Sequence, residues 1–109
     1  MSYRFGPEVD ADLEAIWEYI AQDNLEAAHR WNRKFFDTFE ALAKAPAMGH
    51  LRSDLTSKPV RFWPVGSYLV IYRAESLPIE IVAVTQGARD VPVFLHQRIG
   101  PYVSRPDED

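Results

Sequence analysis

The chain has 109 residues and a mass of 12.5 kDa, the size of one domain and too short for a two-domain enzyme with a cleft between its halves. Hydrophobic residues make up 47% and aromatic residues 13%; a domain of this length buries roughly two-thirds of its unfolded-state surface, so one real core is affordable and wholesale disorder is excluded. Twelve Lys and Arg against sixteen Asp and Glu give a formal charge of -4 and a pI near 5.3, the wrong sign for a protein whose whole surface clamps nucleic acid, and direct nucleic-acid binding is not expected beyond a local basic patch.

Ser2 to Phe5 place Tyr3 and Phe5 on one side of an extended backbone before Gly6-Pro7 breaks the run, which predicts a short first strand. From Pro7 onward Leu13, Ile16, Trp17 and Ile20 fall at i, i+3, i+4 and i+7 while Asp12, Glu14 and Glu18 point elsewhere, so an amphipathic helix is expected over about 8 to 22. Asp23 followed three residues later by Glu26 has the form of a capping box, and Ala28, Trp31, Phe35, Phe39 and Leu42 recur at helical spacing until Pro46 and Gly49. A second helix over 24 to 45 follows, and the short link between the two makes an antiparallel hairpin.

After a polar loop around Gly49 to Lys58, three segments rich in β-branched and aromatic residues read as strands: Val60 to Trp63, Tyr68 to Arg73 and Ile79 to Val84. Pro64-Val65-Gly66-Ser67 and Ala74 to Pro78 are the expected turns. Connections this short exclude parallel crossovers, so the three strands form an antiparallel meander with the helical hairpin on one face. The fold class is α+β in the order βααβββ. Asp90 caps a short helical segment through Val91 to Leu95 that Gly100-Pro101 stops. One domain is expected over 1–100, then a flexible acidic tail over 101–109.

Catalytic signatures are sparse. Zero cysteines exclude a disulfide framework, a thiolate zinc site and a Cys nucleophile, and fit a reducing compartment. His29, His50 and His96 lack metal-ligand spacing, no serine sits in a G-x-S-x-G context, and Gly66, Gly87 and Gly100 are isolated, so no metal, triad or nucleotide cofactor is expected. Met1 to Gly6 carry no apolar signal core, and apolar runs fall short of the roughly 18 residues that span a bilayer; the expectation is a cytoplasmic protein without a membrane partner. The carboxylates of the helices, Glu8, Asp10, Asp12, Glu14 and Glu18 and then Asp23, Glu26, Asp37 and Glu40, read as a solvated face. Trp17, Trp31, Phe35 and Phe39 read as core. Arg52, Lys58, Arg61, Arg73, Arg89 and Arg98, interleaved with Trp63, Tyr68 and Tyr72, either form a basic aromatic sheet surface or pair with Asp54, Glu75, Glu80 and Asp90. His96 is either a general acid/base near neutrality or an ordinary surface histidine.

The ordered set Asp10 to Ile20, Ala27-Ala28, Leu42 to Pro46 with Gly49 and Arg52, Val60-Arg61, Tyr68 to Arg73 and Ile81 to Asp90 resembles the ParE branch of the RelE/ParE toxin superfamily, over about residues 3 to 96. The resemblance implies a small toxin of a type II toxin–antitoxin module in a hetero-oligomer with a cognate antitoxin. The antitoxin is expected to lay a helix or strand into the groove between helical hairpin and sheet. ParE-like members poison DNA gyrase, whereas RelE-like members cleave messenger RNA on the ribosome with basic residues on the sheet and a tyrosine in the C-terminal segment.

An in-line ribonuclease needs convergent Lys/Arg groups and an acid/base. Against the ribonuclease branch, Arg89 matches its arginine near the end of the last strand, but Leu69 stands where it places another arginine. Phe94 and Leu95 stand where its tyrosine is expected, and its lysine pair is reduced to Arg61. Gln86 replaces a histidine that many members carry, and the acidic net charge departs from the basic toxins of this type. The resemblance therefore implies gyrase inhibition by protein contact, with no catalytic residue. The alternatives are a RelE-like ribosome-dependent endoribonuclease and a degenerate antitoxin-binding module without toxicity. Arg61, Arg89, Phe94, His96 and Arg98 are the expected target-binding residues, the last four as exposed groups at or just before the Asp90 to Arg98 segment.

Overall fold

The computed structural model describes residues 2–75 and 77–99; the expected stop at Gly100-Pro101 and the tail over 101–109 lie outside them. In chain order, strand β1 spans Tyr3–Phe5, helix α1 Val9–Ala21, helix α2 Leu25–Lys44, strands β2 Arg61–Val65, β3 Tyr68–Arg73 and β4 Ile79–Gln86, and helix α3 Val91–Ile99, with a 3₁₀ turn at Pro46–Met48. The expected α+β order is present. β2, β3 and β4 form the antiparallel meander, and β1 joins it in parallel against β4, giving a four-stranded mixed sheet in the order β1-β4-β3-β2.

Local chemistry places the ends of the elements. α2 is capped by Asn24, whose side chain accepts the Ala27 N–H at 2.9 Å; the cap expected at Asp23 falls one residue later, on the Asx side chain whose extended backbone turns it toward the open amides. Pro64 and Val65, read as turn residues, are the last two of β2. The Phe62 N–H and C=O pair outward with His50 at 2.8 and 2.9 Å, so by strand alternation Pro64 turns its missing N–H away from β3, which an edge strand tolerates. The hairpin turn is Gly66-Ser67. Gly66 has φ +60°, and a Cβ there would stand 2.5 Å from Trp31 Cη2, so both conformation and space demand glycine.

The sheet carries a core on each face. Toward α1 and α2, Leu13, Phe35, Phe39 and Leu42 pack on Val70, Tyr72, Ile81 and Val84. On the other face Phe62, Ile71, Val82 and Ala83 pack against Val60, Val91, Phe94 and Leu95. Ile71 faces Ala83 and Tyr72 faces Ile81, leaving Val82 as an extra residue on β4. That bulge turns Val82 and Ala83 both onto the second face. Tyr72 is fully buried; its hydroxyl donates to the Pro46 carbonyl and accepts the Gly49 N–H, both at 2.8 Å. It ties the 3₁₀ turn to the sheet and is no stacking platform, and Tyr68 is buried against Trp31 and Phe35. Trp17 is half-buried, with its ring near His29, while Phe35 and Phe39 lie fully in the core.

Candidate functional site

The site is built where β4 ends and α3 begins. Arg89 follows the strand in a turn closed by its own N–H to the Gln86 carbonyl at 3.2 Å. Asp90 then caps α3, its carboxylate accepting the Val93 N–H at 3.3 Å. The helix runs a turn beyond the expected Leu95, to Ile99, because Leu95 and Ile99 both reach the second core. Arg89 is exposed, with its guanidinium 4.7 Å from the centre of the Phe94 ring. The Arg98 guanidinium lies 4.8 Å from the centre of the same ring, so one aromatic ring organises two cations.

Of the residues expected to be exposed here, Arg89 and His96 are. Phe94 is buried, because its ring completes the second core. The Arg98 side chain is only 12% exposed, since it reaches across the end of β1 to α1. There it donates to Asp12 at 2.8 and 2.9 Å and to the Val82 carbonyl at 3.0 Å, and it pairs with Glu8. The hydrogen bonds to Asp12 push the Arg98 pKa further above its ordinary value. Asp12, read as part of a solvated acidic face, is therefore largely buried; its carboxylate also accepts the Val84 N–H at 3.1 Å.

Arg61 is not brought to this site. It sits opposite Tyr72, at the far end of the ladder from Gln86, and donates to the Gly49 carbonyl at 2.8 Å. The other sheet arginines follow the pairing alternative: Arg52 meets Asp54 at 2.6 Å, and Arg73 meets Glu75 and Glu80 at 3.9 and 4.0 Å. Arg52 holds the Asp54 carboxyl below its usual range by hydrogen bonding. Among the described residues Arg89 pairs with no carboxylate.

Two clefts flank Arg89, which lines both. One, of about 380 Å³, lies between α1 and α3, with Ile16, Tyr19, Gln86 and Arg98 in its walls. The other, of about 640 Å³, lies on the side of the β2–β3 turn, lined by Arg52, Leu55, Leu69 and Val91 among others. A guanidinium standing free between two partly apolar clefts is equipped to hold a carboxylate or phosphate. Asp12 and Glu8 are the functional neighbours that sequence reasoning missed. The signal available was the unbroken apolar run Ile81 to Val84, which marks a strand covered on both faces and so a helix on the far side for Arg98 to anchor.

Residues 3–91 match the family model described as the ParE toxin of the type II toxin–antitoxin system parDE. The fold is similar to that of a solved structure from P. aeruginosa, described as a chromosomal ParDE TA system, with a TM-score of 0.66 at 20% identity, over 79% of this chain and 95% of that one. No curated protein sequence matches the chain.

Proposed function

The chain belongs to the ParE toxin family of type II toxin–antitoxin systems, and from that premise we propose that it is a ParE-like poison of DNA gyrase, acting in the cytoplasm by protein contact and neutralised by a cognate antitoxin. The observation that carries this reading is the division of labour among the cations. Arg89 and His96 are both exposed, whereas Arg98 is bound into Asp12 and Arg61 is bound to Gly49 at the opposite end of the sheet. An in-line nuclease must gather such groups around one phosphate, and here they are spread and engaged. The Tyr72 hydroxyl is spent on the backbone of Pro46 and Gly49, and Leu69 and Phe94 offer neither proton nor charge. A protein–protein encounter needs only exposed anchors, here His96 and Arg89, the latter resting on the Phe94 ring.

The test is plasmid DNA incubated with purified gyrase, ATP and this protein, then resolved on a gel for linear product after detergent and protease. Linear DNA that depends on the chain, and disappears with Arg89→Glu, supports the proposal. Unaffected supercoiling at all concentrations, together with cutting of messenger RNA on ribosomes, would replace it by the endoribonuclease reading. If expression without a partner leaves growth unaltered, the chain is an antitoxin-binding module alone.

A further inference from the structure

Three turns meet at the end of the sheet where α3 begins. The β2–β3 turn, Gly66-Ser67, is tied to the β4–α3 turn by the Gly87 N–H, which donates to the Ser67 carbonyl at 2.8 Å. The loop before β2 closes on itself where the Leu55 and Thr56 N–H groups donate to the Arg52 carbonyl at 2.9 and 3.1 Å, and it sets Leu55 against the second core. Between these turns lies the larger of the two clefts beside Arg89, about 640 Å³. Its walls are hydrogen-bonded backbone, so it is formed before any partner arrives, and its volume is that of an ordinary binding pocket.

The lining is apolar, with one uncommitted charge. Leu55, Leu69, Val91 and Pro92 give it aliphatic surface. Arg52 is held by Asp54 through Nε and Nη2, and Asp90 accepts the Val93 N–H at the start of α3. Arg89 lines the cleft with its charge met by no carboxylate among the described residues. A phosphodiester chain asks for cations along its length and flat rings for its bases. Here Leu69 brings no charge, and the Tyr68 ring packs on Trp31 and Phe35, in the core on the other face of the sheet. Apolar groups beside a single carboxylate match the lining better. The surface also runs past the cleft: His96 follows Pro92 by four residues and so lies on the same side of α3, and both are exposed.

We propose that this cleft receives a segment of the target protein in which an aliphatic or aromatic side chain stands next to an Asp or Glu, the apolar group seated on Leu55, Leu69 and Val91 and the carboxylate on Arg89. The inference rests on the reading of the chain as a gyrase poison acting by protein contact, and adds the surface it uses and the chemistry that surface recognises. Burial of the apolar group supplies affinity, and the planar guanidinium fixes the direction of the carboxylate. The groove expected for the antitoxin is the other cleft, on the hairpin side; Ser67 and Ala88 line only the cleft proposed for the target.

The experiment is calorimetric titration of the full chain into purified, DNA-free gyrase, with Ser67→Glu and Ser67→Lys beside the natural chain. Ser67 is exposed on the cleft wall, so both variants are expected to keep the natural melting temperature. The acidic variant is expected to bind about tenfold more weakly, and the basic variant at least as tightly as the natural chain. If the Ser67 variants do not fold, Ala88→Glu and Ala88→Lys repeat the comparison from the β4–α3 turn. Gyrase binding indifferent to both charges overturns the cleft and leaves the gyrase reading intact; equal weakening by both overturns the acidic occupant. Binding that needs DNA and follows the same charge order gives the cleft to nucleic acid and overturns the proposal. Absence of any gyrase binding, with DNA or without it, overturns the gyrase reading and the proposal together.

Discussion

Arg98 and Asp12 meet end-on in a two-pronged pair, at 2.8 and 2.9 Å across nearly the whole length of the chain, with side chains 12% and 13% exposed. Asp12→Ala leaves the guanidinium with Glu8 and one carbonyl, and is expected to cost about 3 kcal/mol, the low end for breaking a buried pair. Replacing both partners by Leu and Met is expected to cost less than the single change, because no buried charge remains. Urea unfolding of the two single variants and the double variant gives the comparison.

Tyr72→Phe deletes a hydroxyl that serves two backbone groups at once, Pro46 C=O and Gly49 N–H. The expected loss is about 1–3 kcal/mol. Burial pushes the Tyr72 pKa above its ordinary value near 10, as it does for Tyr68 and Tyr3. A raised folded-state pKa means that the folded chain keeps protons the unfolded chain has already lost. Stability is then complete below about pH 10 and declines as pH rises through the folded values. In urea titrations from pH 8 to 11, Tyr72→Phe is expected to flatten part of that decline.

Trp17 and Phe35 lie on the apolar stripes of two successive helices, α1 and α2, but do not share one fate in the fold. Phe35→Ala is expected to cost about 3–5 kcal/mol, since its ring is 1% exposed between Trp31 and Tyr68. Trp17→Ala, from a half-buried site beside His29, is expected to cost clearly less. Thermal unfolding of the two variants side by side reads the difference.

Arg89→Glu changes an exposed side chain whose described contact is the Phe94 ring. Its effect on stability is expected to stay within about 1 kcal/mol, while gyrase-dependent DNA cleavage is lost. The pairing of an unchanged melting curve with lost activity separates recognition from folding. His96→Ala, also exposed on α3, is expected to lower activity in the same assay with the melting curve again unmoved.

Periodicity made the two helices and the meander legible, because Leu13, Phe35, Phe39 and Leu42 repeat on one face and β-branched residues crowd Tyr68 to Arg73 and Ile79 to Val84. The cap moved from Asp23 to Asn24 because both side chains can cap and only the backbone angle decides. Pro64 was misread because a turn and the open side of an edge strand accept proline for the same reason, the absent N–H. The candidate site was legible in part. Arg89 and His96 stand where the chain order puts them, but the exposure of Phe94 and Arg98 depends on contacts with Val82, Glu8 and Asp12 that no local pattern encodes. Helical spacing assigns Asp12 to solvent; a strand that ends at Phe5 is what calls it inward.

The register partner of Tyr3 is Ile79, and this sets the order in which the fold can be completed. During synthesis the helical hairpin leaves the ribosome first and the β2–β3 hairpin next, each with its own neighbours at hand. The first strand made is the last to find a place in the sheet, since it waits for β4, and Asp12 waits longer still for Arg98. Long-range closure of this kind slows folding relative to a helical bundle of equal length. A chain halted before α3 leaves Phe62, Ile71 and Val82 uncovered and Asp12 without its cation, so it is a substrate for chaperones and proteases. Both cores are therefore complete only once α3 has joined the sheet.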